Sequence, residues 1–213
     1  MARASRLTRR DEYAQATRQA ILDAARKLFA ERGYFATKVD DIAALARVAP
    51  ATVYAVSGGK QGLLNTLIDI WSLDPIVKAS LDRVEKLDDP AETLRFVAAV
   101  VRQMREEFGD IMRVLLNTAP HDPAVAKSLA AGTARYRAAF QQLVKRLQKL
   151  NALREGMDPA TALDVLWFYL GYSGLFVLHD DNDWSYDRAE QWLYEECCRA
   201  LLRHPPKTAP SKK

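Results

Sequence analysis

The 213-residue chain is 49% hydrophobic and carries 31 basic against 27 acidic side chains, a net charge of +4. That composition suits a globular chain with one or two buried cores and excludes a low-complexity polymer. The longest apolar stretch, residues 165–178, is bounded by Asp164 and by His179-Asp180-Asp181, too short for a membrane span and suited to a buried helix. No apolar leader opens the chain, so a cytoplasmic protein with no membrane partner is expected.

The N-terminal segment is where the charge collects. Residues 1–60 hold eleven basic side chains, from Arg3 to Lys60, against six acids, a local charge of +5. The remaining residues are nearly balanced, at 20 basic and 21 acidic. A polyanion partner for the first segment follows from that asymmetry. Ile21, Leu22, Ala25, Leu28 and Phe29 make one face of a first helix that Gly33 can end. Thr37 is expected to cap a second, short helix with Val39, Ile42, Ala43 and Ala46 inward. Arg47-Val48-Ala49 is then a tight connection, and Pro50 opens a third helix that ends before Gly58. Two short helices across such a turn, braced by a longer one, form a helix-turn-helix unit.

Gly58-Gly59-Lys60 resembles part of a nucleotide-binding loop, but a Walker A motif needs glycine where Tyr54 stands and Ser or Thr where Gln61 stands. The lysine is better placed to meet a DNA phosphate at the start of the next helix. With Val53 inward, Ala51, Thr52, Tyr54 and Ala55 are left outward on the third helix, small or hydroxyl side chains suited to a major groove. Candidate DNA contacts are therefore Thr37, Lys38, Arg47, Pro50, Ala51, Thr52, Tyr54, Ala55 and Lys60.

Further along, Asp74-Pro75, Asp89-Pro90, Asp122-Pro123 and Asp158-Pro159 each set an N-cap acceptor before a proline at the first helical position. Between these marks the apolar spacing is helical, as in Leu94, Val97, Ala98 and Val101. No segment alternates like a hairpin strand. The expected fold is all-α, about nine helices, with a helix-turn-helix domain over 1–60, a helical domain over 61–204 and a disordered tail over 205–213.

Residues 17–69, "TRQAILDAARKLFAERGYFATKVDDIAALARVAPATVYAVSGGKQGLLNTLID", resemble the DNA-binding domain of the tetracycline-repressor (TetR) family. The pattern is spread over Ile21-Leu22, Ala24-Ala25, Leu28-Phe29, Gly33-Tyr34, Thr37, Asp41-Ile42-Ala43, Val48, Thr52-Val53-Tyr54, Lys60 and Leu63-Leu64. The resemblance implies a homodimer that binds operator DNA through its N-terminal domains and a small-molecule effector through its C-terminal ones. It places Thr37, Thr52, Tyr54 and Lys60 at the family's DNA-contacting positions. Three positions depart from the family pattern: Arg47 where glycine is frequent, Ala49 where serine is frequent, and Ser57 where an apolar residue is usual. A phenylalanine at Ser57 is accordingly expected to tighten the domain.

Residues 163–193 resemble the last two helices of some members, which pair with their symmetry mates. The helix over 163–176 reads as apolar all round and in need of cover on both sides. Phe168, Gly171, Tyr172, Leu175 and Trp192 are the candidate dimer residues. Gly171 and Gly174 share a face that admits a second helix, a ligand or the subunit's own packing. Trp71, Phe96, Met104, Phe108, Met112, Leu116, Tyr136, Phe140 and Trp167 line either an apolar effector cavity or a plain core. Tyr136, His121 and Asn117 are candidate polar anchors.

Catalysis finds no support in the sequence. His121, His179 and His204 share no metal-ligand spacing, the Asp180–Asp183 run lacks the glycine and glutamate of a calcium loop, and no nucleophile elbow or dinucleotide fingerprint occurs. Neither a cofactor nor a metal is expected. Adjacent Cys197 and Cys198 point apart on a helix and read as reduced, buried thiols. The expected function is a DNA-binding transcriptional regulator, a repressor released from an inverted-repeat operator by a largely apolar ligand. The alternatives are an effector-independent DNA-binding protein, or a ligand-binding protein or enzyme with a vestigial DNA-binding domain.

Overall fold

Residues 8–206 are described by a computed structural model. Arg3, Arg6 and the tail from Lys207 onward lie outside the described residues, which contain ten α-helical segments and no strand. These are α1 (Arg9–Arg32), α2 (Val39–Ala46), α3 (Pro50–Ser57), α4 (Lys60–Ser72), α5 (Pro75–Val84), α6 (Pro90–Thr118), α7 (Pro123–Lys149), α8 (Pro159–Leu170), α9 (Tyr172–Phe176) and α10 (Tyr186–Leu201). A short 3-10 turn (Ala119–His121) follows α6, and a π turn (Val177–Asp181) follows α9. Because α8, α9 and the π turn follow one another over Pro159–Asp181, the count matches the nine or so helices expected.

All four Asp-Pro signals cap helices. Asp74 accepts from the Ile76 amide at 2.8 Å, Asp89 from Ala91 at 2.7 Å, Asp122 from Ala124 at 2.9 Å and Asp158 from Ala160 at 2.9 Å. Asp74 satisfies one orphan amide of its first turn and the other three satisfy two each, while proline removes another.

The chain forms two compact units. One comprises the chain through Trp71 together with Asp110–Ala131, and the other Ser72–Gly109 with the chain from Gly132. The division therefore falls within α6 and within α7. In the first unit Ile21, Phe29, Ile42, Val53, Leu63 and Leu64 are buried completely, the first four on the inward faces read from the sequence. In the second, Leu94, Leu143, Leu147, Leu166, Leu175 and Leu193 form the centre of a core from α6, α7, α8, α9 and α10. Cys197 and Cys198 sit in that core as free thiols, and burial raises the pKa of both, Cys198 to about 11.

Two expectations are corrected. Thr37 does not cap α2: it is buried, and its hydroxyl donates backward to the carbonyls of Gly33 (2.8 Å) and Leu28 (3.2 Å). The cap position is Lys38, whose amide donates to the Asp41 carboxylate at 3.2 Å. Second, the apolar stretch is not one continuous helix, because the chain breaks at Gly171 (φ −66°, ψ −164°). A Cβ on Gly171 would lie 2.2 Å from the Trp167 carbonyl oxygen, and one on Gly174 2.2 Å from that of Tyr169. The shared glycine face thus serves close approach of the chain's own backbone at the break.

By length and composition alone Pro159–Asp181 reaches the apolar character of a membrane-crossing helix, with mean hydropathy 1.4 and half of it buried. Its interrupted backbone needs donors that lipid does not supply. The second unit provides them: Arg105 donates to the Gly171 carbonyl at 3.0 Å and Tyr136 to that of Leu170 at 2.5 Å.

Candidate nucleic-acid interface and ligand unit

The α2–α3 turn is built from two unlike halves. Arg47 ends α2 in the left-handed region (φ 56°), and the Val48 amide closes onto the Ala43 carbonyl at 3.0 Å. Ala49 is the N-cap of α3 and makes no side-chain cap, so Pro50 alone sets the entry. Val53 anchors α3 to the core. The opposite face of α3 leaves Pro50, Ala51, Tyr54 and Ala55 exposed and Thr52 half-buried. Lys38 and Arg47 are exposed beside it in sequence.

Three glycines shape the junction that follows. Gly58 (φ 71°) ends α3, its amide donating to the Tyr54 carbonyl at 2.8 Å. Gly59 (φ 99°) lets the Tyr54 ring rest on the backbone, since a Cβ there would lie 3.1 Å from its Cε1. Gly62 was not singled out in the sequence, yet a Cβ there would fall 1.6 Å from the Ser57 carbonyl oxygen. Ser57 is correspondingly at work: its hydroxyl donates to the Val53 carbonyl at 2.8 Å and accepts from the Gly59 amide at 3.3 Å. A phenylalanine at this position forfeits both bonds, so the expected tightening is withdrawn.

Lys60 is turned partly inward. Its Nζ donates to the carbonyls of Tyr34 (2.7 Å) and Thr37 (3.0 Å) and lies 4.3 Å from the centre of the Tyr34 ring. Burial lowers its pKa, against the pull of Asp122. The Tyr34 hydroxyl donates to Gln61 at 3.0 Å, so the start of α4 grips the α1–α2 connection at three points. That connection carries a residue missed in the sequence, Phe35, which is 57% exposed. Of the nine candidate DNA contacts, six are exposed, Thr52 and Lys60 are half-buried and Thr37 is buried.

Within the same unit, Arg26 of α1 forms a two-point ion pair with Asp110 of α6, at 2.7 and 2.8 Å. Burial is the largest single influence and pushes the Asp110 pKa up, but the Arg26 hydrogen bonds and charge, together with the backbone amides of Ile111 and Asp110, outweigh it and hold the carboxyl below its ordinary value.

The residues of the candidate cavity divide between the units. Trp71, Met112 and Leu116 belong to the first, and Phe96, Met104, Phe108, Tyr136, Phe140 and Trp167 to the second. The second unit brings Tyr136, Phe140 and Trp167 together and adds Tyr172, with ring centres 4.8–5.7 Å apart around Tyr136. Arg105, another residue not picked out in the sequence, is only 2% exposed and lies 5.5–5.6 Å from the rings of Tyr136, Tyr172 and Phe176. Burial raises both phenols, Tyr172 to about 12, so they stay protonated at neutral pH. The guessed anchors Asn117 and His121 are exposed.

Among the candidate dimer residues, Phe168 (74%) and Trp192 (37%) are exposed, whereas Gly171, Tyr172 and Leu175 are buried in their own subunit. The described residues hold no group of three His, Cys, Asp or Glu side chains able to bind a metal.

The family model for "Bacterial regulatory proteins, tetR family" matches residues 21–67, the span that builds α2, α3 and their braces. The uncharacterized HTH-type transcriptional regulator YdeS of Bacillus subtilis (strain 168) is 28% identical over 186 residues, covering 82% of this chain and 85% of that protein. Among solved structures, NalD, the secondary repressor of the MexAB-OprM multidrug efflux pump in Pseudomonas aeruginosa, superposes with a TM-score of 0.73 at 25% identity over 90% of this chain and 98% of that one. The SmeT–triclosan complex shares the fold with a TM-score of 0.74 at 21% identity, over 92% of this chain and all of that one. With the two-helix reader, its supporting helix and the helical second unit all in place, residues 21–67 match the tetR family of bacterial regulatory proteins, and the chain as a whole is similar to an HTH-type transcriptional regulator and to the repressor NalD.

Proposed function

We propose that this regulator works in the cytoplasm as a homodimeric repressor that reads an inverted-repeat operator through α3 and leaves it when a small ligand occupies the second unit. The observation that carries the reading is the solvent face of α3. It offers small side chains at Ala51 and Ala55, a hydroxyl at Thr52 and an exposed Tyr54, in the segment that holds all the excess positive charge. A helix with short side chains can approach the floor of a major groove, where methyl and hydroxyl groups meet base edges. Lys38 and Arg47 supply exposed charge for phosphates, and Lys60 acts chiefly by fixing the loop that presents Lys38. The repressor role draws support from NalD, and the presence of a small-molecule site in this fold from the SmeT–triclosan complex.

Ligand release requires only that the ligand favour one dimer conformation over the DNA-binding one. Selection of bound sequences from a random DNA library tests the reading. The expected product is an inverted repeat with half-sites about one helical turn, roughly 34–36 Å, apart. Failure to enrich any sequence over the starting pool would overturn it.

A further inference from the structure

Phe35 stands 57% exposed in the α1–α2 connection. A lone apolar side chain in water is ordinary where the backbone beneath it is loose. Here the backbone is tied down on both sides of it. The Tyr34 ring is buried 5.4 Å from that of Phe29, and its hydroxyl donates to Gln61 at 3.0 Å. The Thr37 hydroxyl donates to the Gly33 and Leu28 carbonyls, and Lys60 Nζ donates to those of Tyr34 and Thr37. Phe35 itself packs edge-on against Tyr34, with ring centres 5.6 Å apart and planes at 77°. Its ring is therefore held in one place with about half of its surface bare. Ordering a side chain normally counts against association, and in this loop folding has already done it.

Charge in the same unit narrows the partner. Residues 1–60 carry a net charge of +5, and Lys38, three residues beyond Phe35, is exposed. Yet Asp40 and Asp41 in the first turn of α2 offset Lys38 and Arg32 locally. Asp41 accepts from the Lys38 amide at 3.2 Å and lies 3.9 Å from Arg32. Charge alone gives this edge of the reader a weak hold on phosphates. A DNA strand also presents the apolar faces of its deoxyribose rings between the phosphates, and an ordered aromatic ring suits those.

We propose that Phe35 is a DNA-contacting residue whose ring packs on a deoxyribose of the backbone flanking the groove that α3 enters. The proposal rests on the operator-binding reading above and adds to it a contact that is apolar and blind to sequence.

Fluorescence anisotropy of the full chain over a range of salt concentrations tests it, with the selected operator and a scrambled duplex as probes. Phe35→Ala is expected to weaken binding to both duplexes by the same factor, roughly tenfold for one ring from each subunit. The salt slope should not change, because an apolar contact releases no counterions. Lys38→Ala, by contrast, should flatten the slope by about one phosphate contact per subunit. Phe35→Leu is expected to recover most of the lost affinity, and Phe35→Lys to recover it only at low salt, with a steeper slope. Unchanged affinity in Phe35→Ala overturns the contact and leaves the operator reading standing, as does a loss confined to the operator or one that alters the slope. A loss that Phe35→Leu does not recover also overturns it, and assigns the ring to the structure of the loop. If the unsubstituted chain binds neither duplex, both readings fall.

Discussion

Arg47 and Ala49 each hold a backbone position that another residue would suit better. Arg47 sits at φ 56°, where a Cβ crowds the backbone and only glycine is free of strain. Arg47→Gly is expected to stabilise the chain by about 0.5–1 kcal/mol, the relief being partly offset by glycine's greater freedom when unfolded. The same variant removes an exposed cation from the turn, so the salt dependence of operator binding should flatten by about one phosphate contact. A rise in melting temperature with an unchanged salt slope would confine Arg47 to a structural role. Ala49 leaves the first amides of α3 without a side-chain acceptor, and Ala49→Ser should add about 1 kcal/mol, read as a higher melting temperature. A neutral or destabilising serine would mean that Pro50 already fixes the entry. Both departures were legible in the sequence, because a turn and an N-cap are local. The requirement at Gly62 was not, since it arises from the Ser57 carbonyl of the preceding helix, and no spacing rule anticipates such a meeting.

Helices were legible where their ends are chemical signals. Every Asp-Pro pair begins one, and the buried faces of α1, α2 and α6 follow the apolar spacing. The break between α8 and α9 escaped the same reasoning: "LWFYLGYSGLF" carries no proline and only two spaced glycines. What permits the break is donors from other elements, Arg105 on α6 and Tyr136 on α7, which periodicity does not register. The Arg26–Asp110 pair likewise joins residues 84 apart in sequence. Its contribution can be read by pH. Asp110 titrates below its ordinary 3.8 when folded, so the pair stabilises fully above that value and is lost as pH falls through the lower folded one. Asp110→Asn is expected to cost about 1 kcal/mol at pH 7, a modest figure because both side chains are about one-third exposed. The gap to the unsubstituted chain should close as pH falls below about 3.8. Thermal melts at pH 7 and pH 3 check it, and an equal gap at both would assign the loss to packing rather than charge.

At the scale of the whole molecule, one surface is hard to reconcile with a lone chain in water. Phe168 on α8 is 74% exposed, Val177 on the π turn 46% and Trp192 on α10 37%. Tyr169 joins Phe168 to Trp192, with ring centres 5.1 and 6.4 Å from theirs. Exposed aromatic groups of this kind mark association surfaces rather than ordinary solvent faces. If two copies meet here, burying each Phe168 side chain is worth about 1.5–3 kcal/mol, and a charge in its place reverses the sign. Phe168→Glu is therefore expected to sediment as a monomer at concentrations where the unsubstituted chain is a dimer. Its helical content should be unchanged, because the ring contributes little to its own subunit's core. Operator affinity should then fall on the order of 10²-fold or more, since each reading domain loses the effective concentration its partner's binding provides. Binding to an isolated half-site should stay the same. A dimeric Phe168→Glu variant would move the interface elsewhere on the second unit, and a monomer that still held the full operator tightly would show that the two copies read DNA independently.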